Sequence, residues 1–106
     1  MASFSLLFPG LIAGAKIYPQ QHEVSGREGE PVTLTCTYET TGGAYLYWYK
    51  HHSDLQAPEF ILNTGYIPDK NKNRYGSKTS ATTTELTIQR LTLADTALYY
   101  CALETQ

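Results

Sequence analysis

Two cysteines, Cys36 and Cys101, lie 65 positions apart, and the segments around them constrain the fold more than any other feature of the chain. Val32, Leu34 and Cys36 alternate with threonines, which is the period-two pattern of a strand with one buried face. Cys101 lies at the apolar phase of a second alternating segment. Because the chain also begins like a secreted protein, these two half-buried strands favour a disulfide.

Two alternatives to a disulfide remain open on the sequence alone. The cysteines are either buried free thiols or ligands of a metal ion. A tetrahedral metal site would need two more ligands, and His51 and His52 cannot both supply them, since neighbouring strand residues point to opposite faces. A disulfide closing so long a loop would stabilise the fold by about 4 kcal/mol. That is a large share of the roughly 5–15 kcal/mol expected for one domain.

Length, charge and motif content exclude several classes of protein. A chain of 106 residues forms one core and leaves no room for a cleft between two domains. With 8 basic residues, 10 acidic residues and a net charge of −2, it has no basic surface for nucleic acid. Motifs of serine hydrolases, zinc proteases and phosphate-binding loops are missing from the sequence. We therefore expect no catalytic residues, no metal and no cofactor.

The first fifteen residues have the features of a secretory leader. They carry no charged side chain, contain an apolar run and end in the small residues 13–15. The alternative, a buried first strand or helix, is disfavoured by Pro9 and Gly10 in the middle of the run. We expect residues 1–15 to be a signal peptide that directs the chain into the secretory pathway. No later apolar run is long enough to span a membrane.

Beyond residue 16 the chain has the pattern of an all-β sandwich. Short alternating segments are separated by Gly, Pro, Asn and Asp, and no long segment has a helical period. The predicted strands cover residues 32–38, 45–51, 59–63, 75–80, 85–90 and 97–102. Residues 69–73 are predicted to form a solvated loop, and the threonines at 82–84 suit the edge of a strand.

A tryptophan and the residues before the second cysteine make this pattern specific. Trp48 follows Cys36 by twelve positions, and residues 95–101 read D-T-A-L-Y-Y-C. Cysteine, tryptophan and then D-x-A-x-Y-x-C resembles the framework of an immunoglobulin V-type domain, over about residues 17–104. Within that family the phrases YLYWYK, EFIL and LTIQRLTLADTALYYCAL are most similar to T-cell receptor alpha variable segments. Delta variable segments share much of the pattern.

This resemblance implies a fold and a set of framework residues. The implied fold is an all-β, V-type Greek-key sandwich of two antiparallel sheets, formed by residues 16–106. The last strand is missing, since no F-G-x-G joining motif comes after Cys101, and a free sheet edge is expected beside residues 97–101. Tyr99 matches the tyrosine-corner position, and Arg74 matches the arginine that pairs with Asp95. The implied core framework is Trp48, Leu86, Tyr99, Arg74 and Asp95.

The outward face of the Trp48 strand is aromatic. Tyr45, Tyr47, Tyr49 and His51 share this face, and contiguous exposed aromatic surface is typical of an interface. In the family this sheet packs against a second variable domain, from a beta chain or the partner of a delta chain. The implied partner interface is Tyr47, Tyr49, His51, Pro58 and Tyr100.

Two points qualify this interface. The tyrosines are alternatively side chains that strands favour and tolerate singly at the surface. His51 stands where the family commonly has glutamine, so the usual pair of amides across the two domains is not expected. Since histidine titrates at about pH 6.5, His51 would make pairing sensitive to mild acid.

Three segments are expected to cluster at one end of the sandwich, namely residues 39–44, 64–70 and 102–106. By resemblance they are the complementarity-determining loops, which contact a peptide presented by a major histocompatibility molecule. The implied ligand-contact residues are Glu39, Thr40, Thr41, Tyr66, Leu103 and Glu104. The third loop is almost absent, so the antigen is not defined by this chain. The alternative is that these residues form plain solvated loops.

Two functions are implied by the resemblance. The first is an antigen-recognition variable domain of a T-cell receptor alpha or delta chain, outside the plasma membrane and anchored only through constant and transmembrane regions that this chain lacks. The alternative is a non-rearranging surface receptor or adhesion domain of the same fold. A secreted domain that works alone would require a complete last strand. The first two differ in the sequence after residue 103, which is either variable and ends in a joining motif or is the same in every copy.

Overall fold

The computed structural model describes residues 2–7, 15–52 and 56–105, with the backbone alone for residues 2–7 and 105. These residues form a sandwich of two β-sheets, as predicted. The strands are β1 (Ala2–Leu7), β2 (Ala15–Pro19), β3 (Glu23–Gly26), β4 (Val32–Thr40), β5 (Ala44–His51), β6 (Glu59–Asn63), β7 (Tyr75–Thr79), β8 (Thr83–Ile88) and β9 (Ala97–Thr105). One sheet has the order β3-β1-β9-β5-β6, and the other has the order β2-β4-β8-β7.

Alternating side chains build the core between the sheets. Leu34 and Cys36 of β4 and Leu86 of β8 are fully buried in one sheet, and Trp48 and Cys101 are fully buried in the other. The threonines between them are half-buried or exposed. Burying apolar side chains stabilises a fold by about 1.5–3 kcal/mol each, so this strict alternation fixes the register of each strand.

The two sheets are joined through their core by the predicted disulfide. Cys36 and Cys101 are bonded, and both are fully buried. Trp48 lies directly opposite Cys101 in the pairing of β5 with β9. The alternatives of free thiols and of a metal site on these cysteines are therefore wrong.

Several strand ends differ from the prediction. β8 begins at Thr83 and ends at Ile88, whereas residues 85–90 were expected. Thr84 is buried and accepts a hydrogen bond from Trp48 Nε1 (3.4 Å), which draws the threonine run into the sheet. Arg90 has a positive φ of 52°, which is turn geometry and ends the strand. Within the predicted loop 69–73 a single 3-10 turn forms.

The edge of β9 that was expected to be free is paired. β1 runs parallel to β9, with residues 4–7 opposite residues 97–100. β1 also pairs antiparallel with β3. Within residues 2–7, 15–52 and 56–105, the pairing of β1 with β9 is the one parallel pairing between named strands. Of the predicted leader, residues 8–14 lie outside the described residues, and Ala15 is the first residue of β2.

Helices contribute little to this fold. In the described ranges, 2–7, 15–52 and 56–105, there is no helix with the length and apolarity that crossing a bilayer requires.

Candidate functional site

A buried carboxylate closes one end of the sandwich. Arg74 Nη2 lies 2.7 Å from Asp95 Oδ2, and the backbone N–H of Thr92 donates to the same oxygen at 2.8 Å. Lys50 Nζ lies 3.9 Å from the other carboxylate oxygen. Asp95 is only 2% exposed, so the carboxylate is compensated by two cations and a backbone donor, as a buried charge requires. The pairing of Arg74 with Asp95 is as the sequence predicted.

Tyr99 forms the predicted corner beside this carboxylate. Its hydroxyl donates to the backbone carbonyl of Asp95 at 2.7 Å, and the side chain is fully buried. Burial, with smaller effects from Tyr75 and Asp95, raises the pKa of Tyr99 far above its usual value of 10.0. The folded state therefore holds this phenol proton more tightly than the unfolded chain does.

We expect Tyr99→Phe to lower the free energy of unfolding by about 1 kcal/mol at pH 7, since one buried hydrogen bond is lost. The pH dependence should also change. Because the folded pKa of Tyr99 lies above the unfolded value, the stabilisation from this phenol is present below about pH 10 and is lost as the pH rises further. Denaturant titrations from pH 7 to 11 should show a smaller alkaline loss of stability in Tyr99→Phe than in the unchanged chain.

Tyr66→Phe is the matched control, because Tyr66 is 61% exposed and loses no buried hydroxyl. Burial also raises the pKa of Tyr75, so some alkaline loss should persist in Tyr99→Phe. An alkaline slope identical in Tyr99→Phe and in the unchanged chain would contradict this account.

A continuous row of rings covers the outer face of β5 and β6. Tyr47 stacks on Tyr49, with ring centroids 6.3 Å apart, and Tyr49 meets the edge of Phe60 at 5.8 Å. Phe60 in turn stacks on Tyr66 at 6.4 Å. Such separations are typical of favourable aromatic pairs. The row therefore links the predicted interface tyrosines to the predicted ligand loop at Tyr66.

A shallow apolar groove lies beside this row. Tyr49, Pro58, Tyr100 and Ala102 line it, and its volume is about 280 Å³. Tyr49 and Tyr100 are directly opposite each other in the pairing of β5 with β9. An apolar groove between aromatic side chains suits an inserted side chain of another protein. Four predicted interface residues, Tyr47, Tyr49, Pro58 and Tyr100, thus lie together on one face.

His51, the fifth predicted interface residue, bonds within its own sheet. Its Nδ1 lies 3.2 Å from the Tyr100 hydroxyl. Its Nε2 is buried, and within the described part of the chain it has no hydrogen-bond partner. In this arrangement one ring nitrogen of His51 is buried and the other contacts Tyr100 of the same sheet.

Three connections meet at one end of the sandwich, as expected. β4 ends where β5 begins, Ala44 pairs with Thr105, and Asn63 pairs with Tyr47, so the turns 41–43 and 64–66 lie beside the end of β9. Thr41 and Tyr66 are exposed there. Gly65 N–H donates to Asn63 Oδ1 at 2.8 Å and tightens the turn that carries Tyr66.

Glu39 and Thr40 belong to a strand, not to a loop. β4 extends through Thr40, and Glu39 forms an exposed ion pair with Lys16 of β2 at 2.8 Å. The first loop is therefore shorter than the predicted 39–44. Its exposed residues are 41–43.

The end of β9 separates the two residues predicted for the third loop. Leu103 is only 6% exposed and belongs to the core, because it continues the inward phase of Cys101. The prediction that Leu103 contacts the ligand is therefore wrong. Glu104 is exposed and accepts a hydrogen bond from the Tyr47 hydroxyl at 3.0 Å. That hydrogen bond raises the pKa of Tyr47. Glu104 therefore borders both the loop end and the aromatic row.

Sequence reasoning missed three contributors to this surface and its support. Phe60 bridges Tyr49 and Tyr66, and its aromatic character in a predicted strand was the available signal. Lys50 shares the inward phase of Trp48, which indicates a need for an anionic partner. Thr84 gave no signal, since a buried Thr in a run of three looks the same as an exposed one.

The aromatic face of the sheet has the composition of a binding surface. In the part of the chain that the structure describes, no group of three or more His, Cys, Asp or Glu side chains is arranged to hold a metal ion. The tyrosines, the proline and the groove instead present apolar and aromatic area, which is the composition of protein interfaces.

Comparisons with known proteins agree with this architecture. The immunoglobulin V-set domain matches residues 19–106. Human T cell receptor alpha variable 3 is 32% identical over 108 residues, covering 96% of this chain and 91% of the relative. Human T cell receptor alpha variable 38-1 is 37% identical, and human T cell receptor alpha variable 38-2/delta variable 8 is 36% identical; each comparison covers 77% of this chain and 74% of the relative. The chain therefore belongs to the immunoglobulin V-set family and, within it, to the T-cell receptor alpha variable domains, a group of receptors rather than enzymes.

Proposed function

We propose that this chain pairs through its aromatic sheet with a second T-cell receptor variable domain. If the chain is an alpha chain, that partner is the variable domain of a beta chain. The pair then recognises a peptide presented by a major histocompatibility molecule. The observation that carries the pairing is the apolar groove lined by Tyr49, Pro58, Tyr100 and Ala102 beside the stacked tyrosines. Aromatic anchors around a desolvated pocket supply most of the binding energy of a typical interface.

The loop end supports the second part of the proposal. Thr41 and Tyr66 are exposed at the same end as Glu104, and exposed polar and aromatic loop residues are the usual contacts of antigen receptors. We assign them as ligand contacts. Glu39 is engaged by Lys16 and contributes less.

The place of the chain in the cell follows from the same proposal. Residues 1–15 act as a signal peptide that is removed near Ala15, and the domain works on the extracellular side of the plasma membrane. Attachment to the membrane comes from constant and transmembrane regions of the joined receptor chain.

We expect Tyr49→Ala to weaken binding to an immobilised T-cell receptor beta variable domain by about tenfold or more, since an anchor at the groove is removed. Surface plasmon resonance with the full chain measures this change. Tyr18→Ala is the matched control: Tyr18 is 41% exposed, but it lies on β2 of the opposite sheet.

Circular dichroism of both variants should first show an unchanged fold. Equal losses of affinity for Tyr49→Ala and Tyr18→Ala, or no loss for either, would contradict pairing through the aromatic sheet. A loss confined to Tyr49→Ala would support it.

A further inference from the structure

β6 contains an extra residue where it pairs with β5. Trp48 lies opposite Leu62, and the next residue of β5, Tyr49, lies opposite Phe60. The register therefore skips Ile61. Ile61 and Leu62 are neighbours in the strand, yet each is only 2% exposed. An extra residue in one strand of an antiparallel pair is a β-bulge, and it shifts the alternation of the side chains by one position.

The bulge determines the face on which Phe60 lies. In a regular strand Phe60 would share the inward face of Leu62, because residues two apart point the same way. With Ile61 as the extra residue, Phe60 lies on the outer face instead. There its ring meets the edge of Tyr49 and stacks on Tyr66. Without the bulge, Ile61 would take the outward position and interrupt the aromatic row.

Asn71 contacts the bulge from the 3-10 turn that follows β6. Its side-chain Nδ2 donates to the backbone carbonyl of Ile61 at 2.9 Å. The backbone of Asn71 is itself fixed, since its N–H donates to the carbonyl of Pro68 at 2.9 Å and its carbonyl accepts from the N–H of Arg74 at 3.1 Å. β6 is the edge strand of its sheet. A donor from a fixed turn therefore holds the backbone of this edge at the extra residue.

The far end of the row depends on Phe60 for the orientation of its ring. The backbone N–H of Asn63 donates to the carbonyl of Tyr66 at 2.9 Å, and the N–H of Tyr66 lies 3.3 Å from the carbonyl of Asn63. These bonds fix the backbone of the turn but not the side chain of Tyr66, which is 61% exposed. Stacking on Phe60, with ring centroids 6.4 Å apart, orients the exposed ring.

We propose that Asn71 is a positioning residue for the aromatic row. By holding the bulge at Ile61 it keeps Phe60 on the outer face, where Phe60 orients Tyr66 and supports Tyr49 at the groove. Asn71 thus acts on both the pairing surface and the ligand turn through Phe60. The effect on affinity rests on the proposed pairing, whereas the effect on the rings is a property of this chain alone.

Asn71→Asp tests the proposal, because aspartate keeps the size of the side chain and removes the N–H donor. Asn73→Asp is the matched control: it makes the same change of charge two residues further on, at an exposed position. The backbone carbonyl of Asn73, which accepts from Arg90 Nη2 at 2.8 Å, is kept.

Nuclear Overhauser effects between the rings of Phe60 and Tyr66 in the full chain are the first readout. We expect their intensity to fall by about twofold or more in Asn71→Asp and to stay unchanged in Asn73→Asp, since one hydrogen bond that holds the bulge is lost. The contact of Trp48 Nε1 with Thr84 Oγ1, at 3.4 Å, reports the intact core in the same spectra.

Affinity for an immobilised T-cell receptor beta variable domain is the second readout. We expect Asn71→Asp to bind about threefold more weakly than Asn73→Asp. A residue that only stabilised the fold would lower the melting temperature and leave both readouts unchanged well below it. Should the unchanged chain not bind the beta domain, the proposed pairing fails, and the ring contacts still decide the role of Asn71.

Three outcomes would overturn the proposal. Equal ring contacts in Asn71→Asp and Asn73→Asp would mean that Asn71 does not position Phe60. Lost ring contacts with unchanged affinity for the beta domain would remove the link from Phe60 to the pairing surface. Should Asn71→Asp fail to fold, Asn71→Ala is measured in the same way, and failure of both to fold would assign Asn71 to the support of the whole domain.

Discussion

Replacing both cysteines with alanine is expected to lower the free energy of unfolding by about 4 kcal/mol. The bond joins Cys36 to Cys101 across 65 positions. Without it the unfolded chain gains conformational entropy, which favours unfolding by about 4 kcal/mol for a loop of that length. Since one domain has roughly 5–15 kcal/mol of stability in total, this change removes a large share of it and should move the urea midpoint of unfolding to a much lower concentration. Urea titrations monitored by the fluorescence of Trp48 measure the change.

The two single variants distinguish the stability contributed by the disulfide bond from the stability contributed by the packing of each sulfur atom. Cys36→Ala and Cys101→Ala each break the bond, so each alone should have nearly the full effect, and combining them should add little. Reduction of the unchanged chain should have a similar effect. Two single variants that each lose half of the total would contradict a dominant contribution from the disulfide.

Asp95→Ala is expected to lower the free energy of unfolding by about 3 kcal/mol. The substitution leaves the cations of Arg74 and Lys50 without their carboxylate and the backbone N–H of Thr92 without its acceptor. Removing one partner of a buried ion pair costs about 3–5 kcal/mol. The exposed part of Arg74, about 31% of its side chain, can be rehydrated, which places the expected loss at the lower end of that range.

Asp69→Ala is the matched control for this experiment. Asp69 also pairs with a cation, since Lys72 Nζ lies 2.9 Å away, but its side chain is 96% exposed. An exposed ion pair contributes about 0–1 kcal/mol, so thermal and urea unfolding should change little. Comparable losses for Asp95→Ala and Asp69→Ala would contradict the structural role of the buried carboxylate.

The core was predictable because alternation is read directly from the chain. Leu34 and Cys36 lie in phase, and Trp48 lies in phase with Leu46, so their burial follows from the period of a strand. Leu103 continues the same phase from Cys101 and was available to this reasoning, but the family resemblance assigned residues 102–106 to a loop. The alternation of the strand was therefore a better guide to Leu103 than the resemblance, because β9 continues to Thr105.

Other features depend on contacts between distant segments and could not be predicted locally. Glu39 lies in a strand because β2 pairs with that part of β4. The aromatic row passes through Phe60 because β6 pairs with β5 and brings this ring to Tyr49. The pairing of β1 with β9 depends on an edge at the other end of the sequence. The alternation within one strand predicts that strand, but it does not show which other strand it pairs with.

The central claim, that the chain is a variable segment of an antigen receptor, is tested most directly by sequencing lymphocyte transcripts. A primer within the codons for residues 87–95 reads the sequence beyond Cys101 in many clones from the organism that encodes the chain. We predict continuations that differ from clone to clone and then converge on F-G-x-G. A single fixed continuation into a stalk, the same in every clone, would contradict the claim and favour a non-rearranging surface receptor.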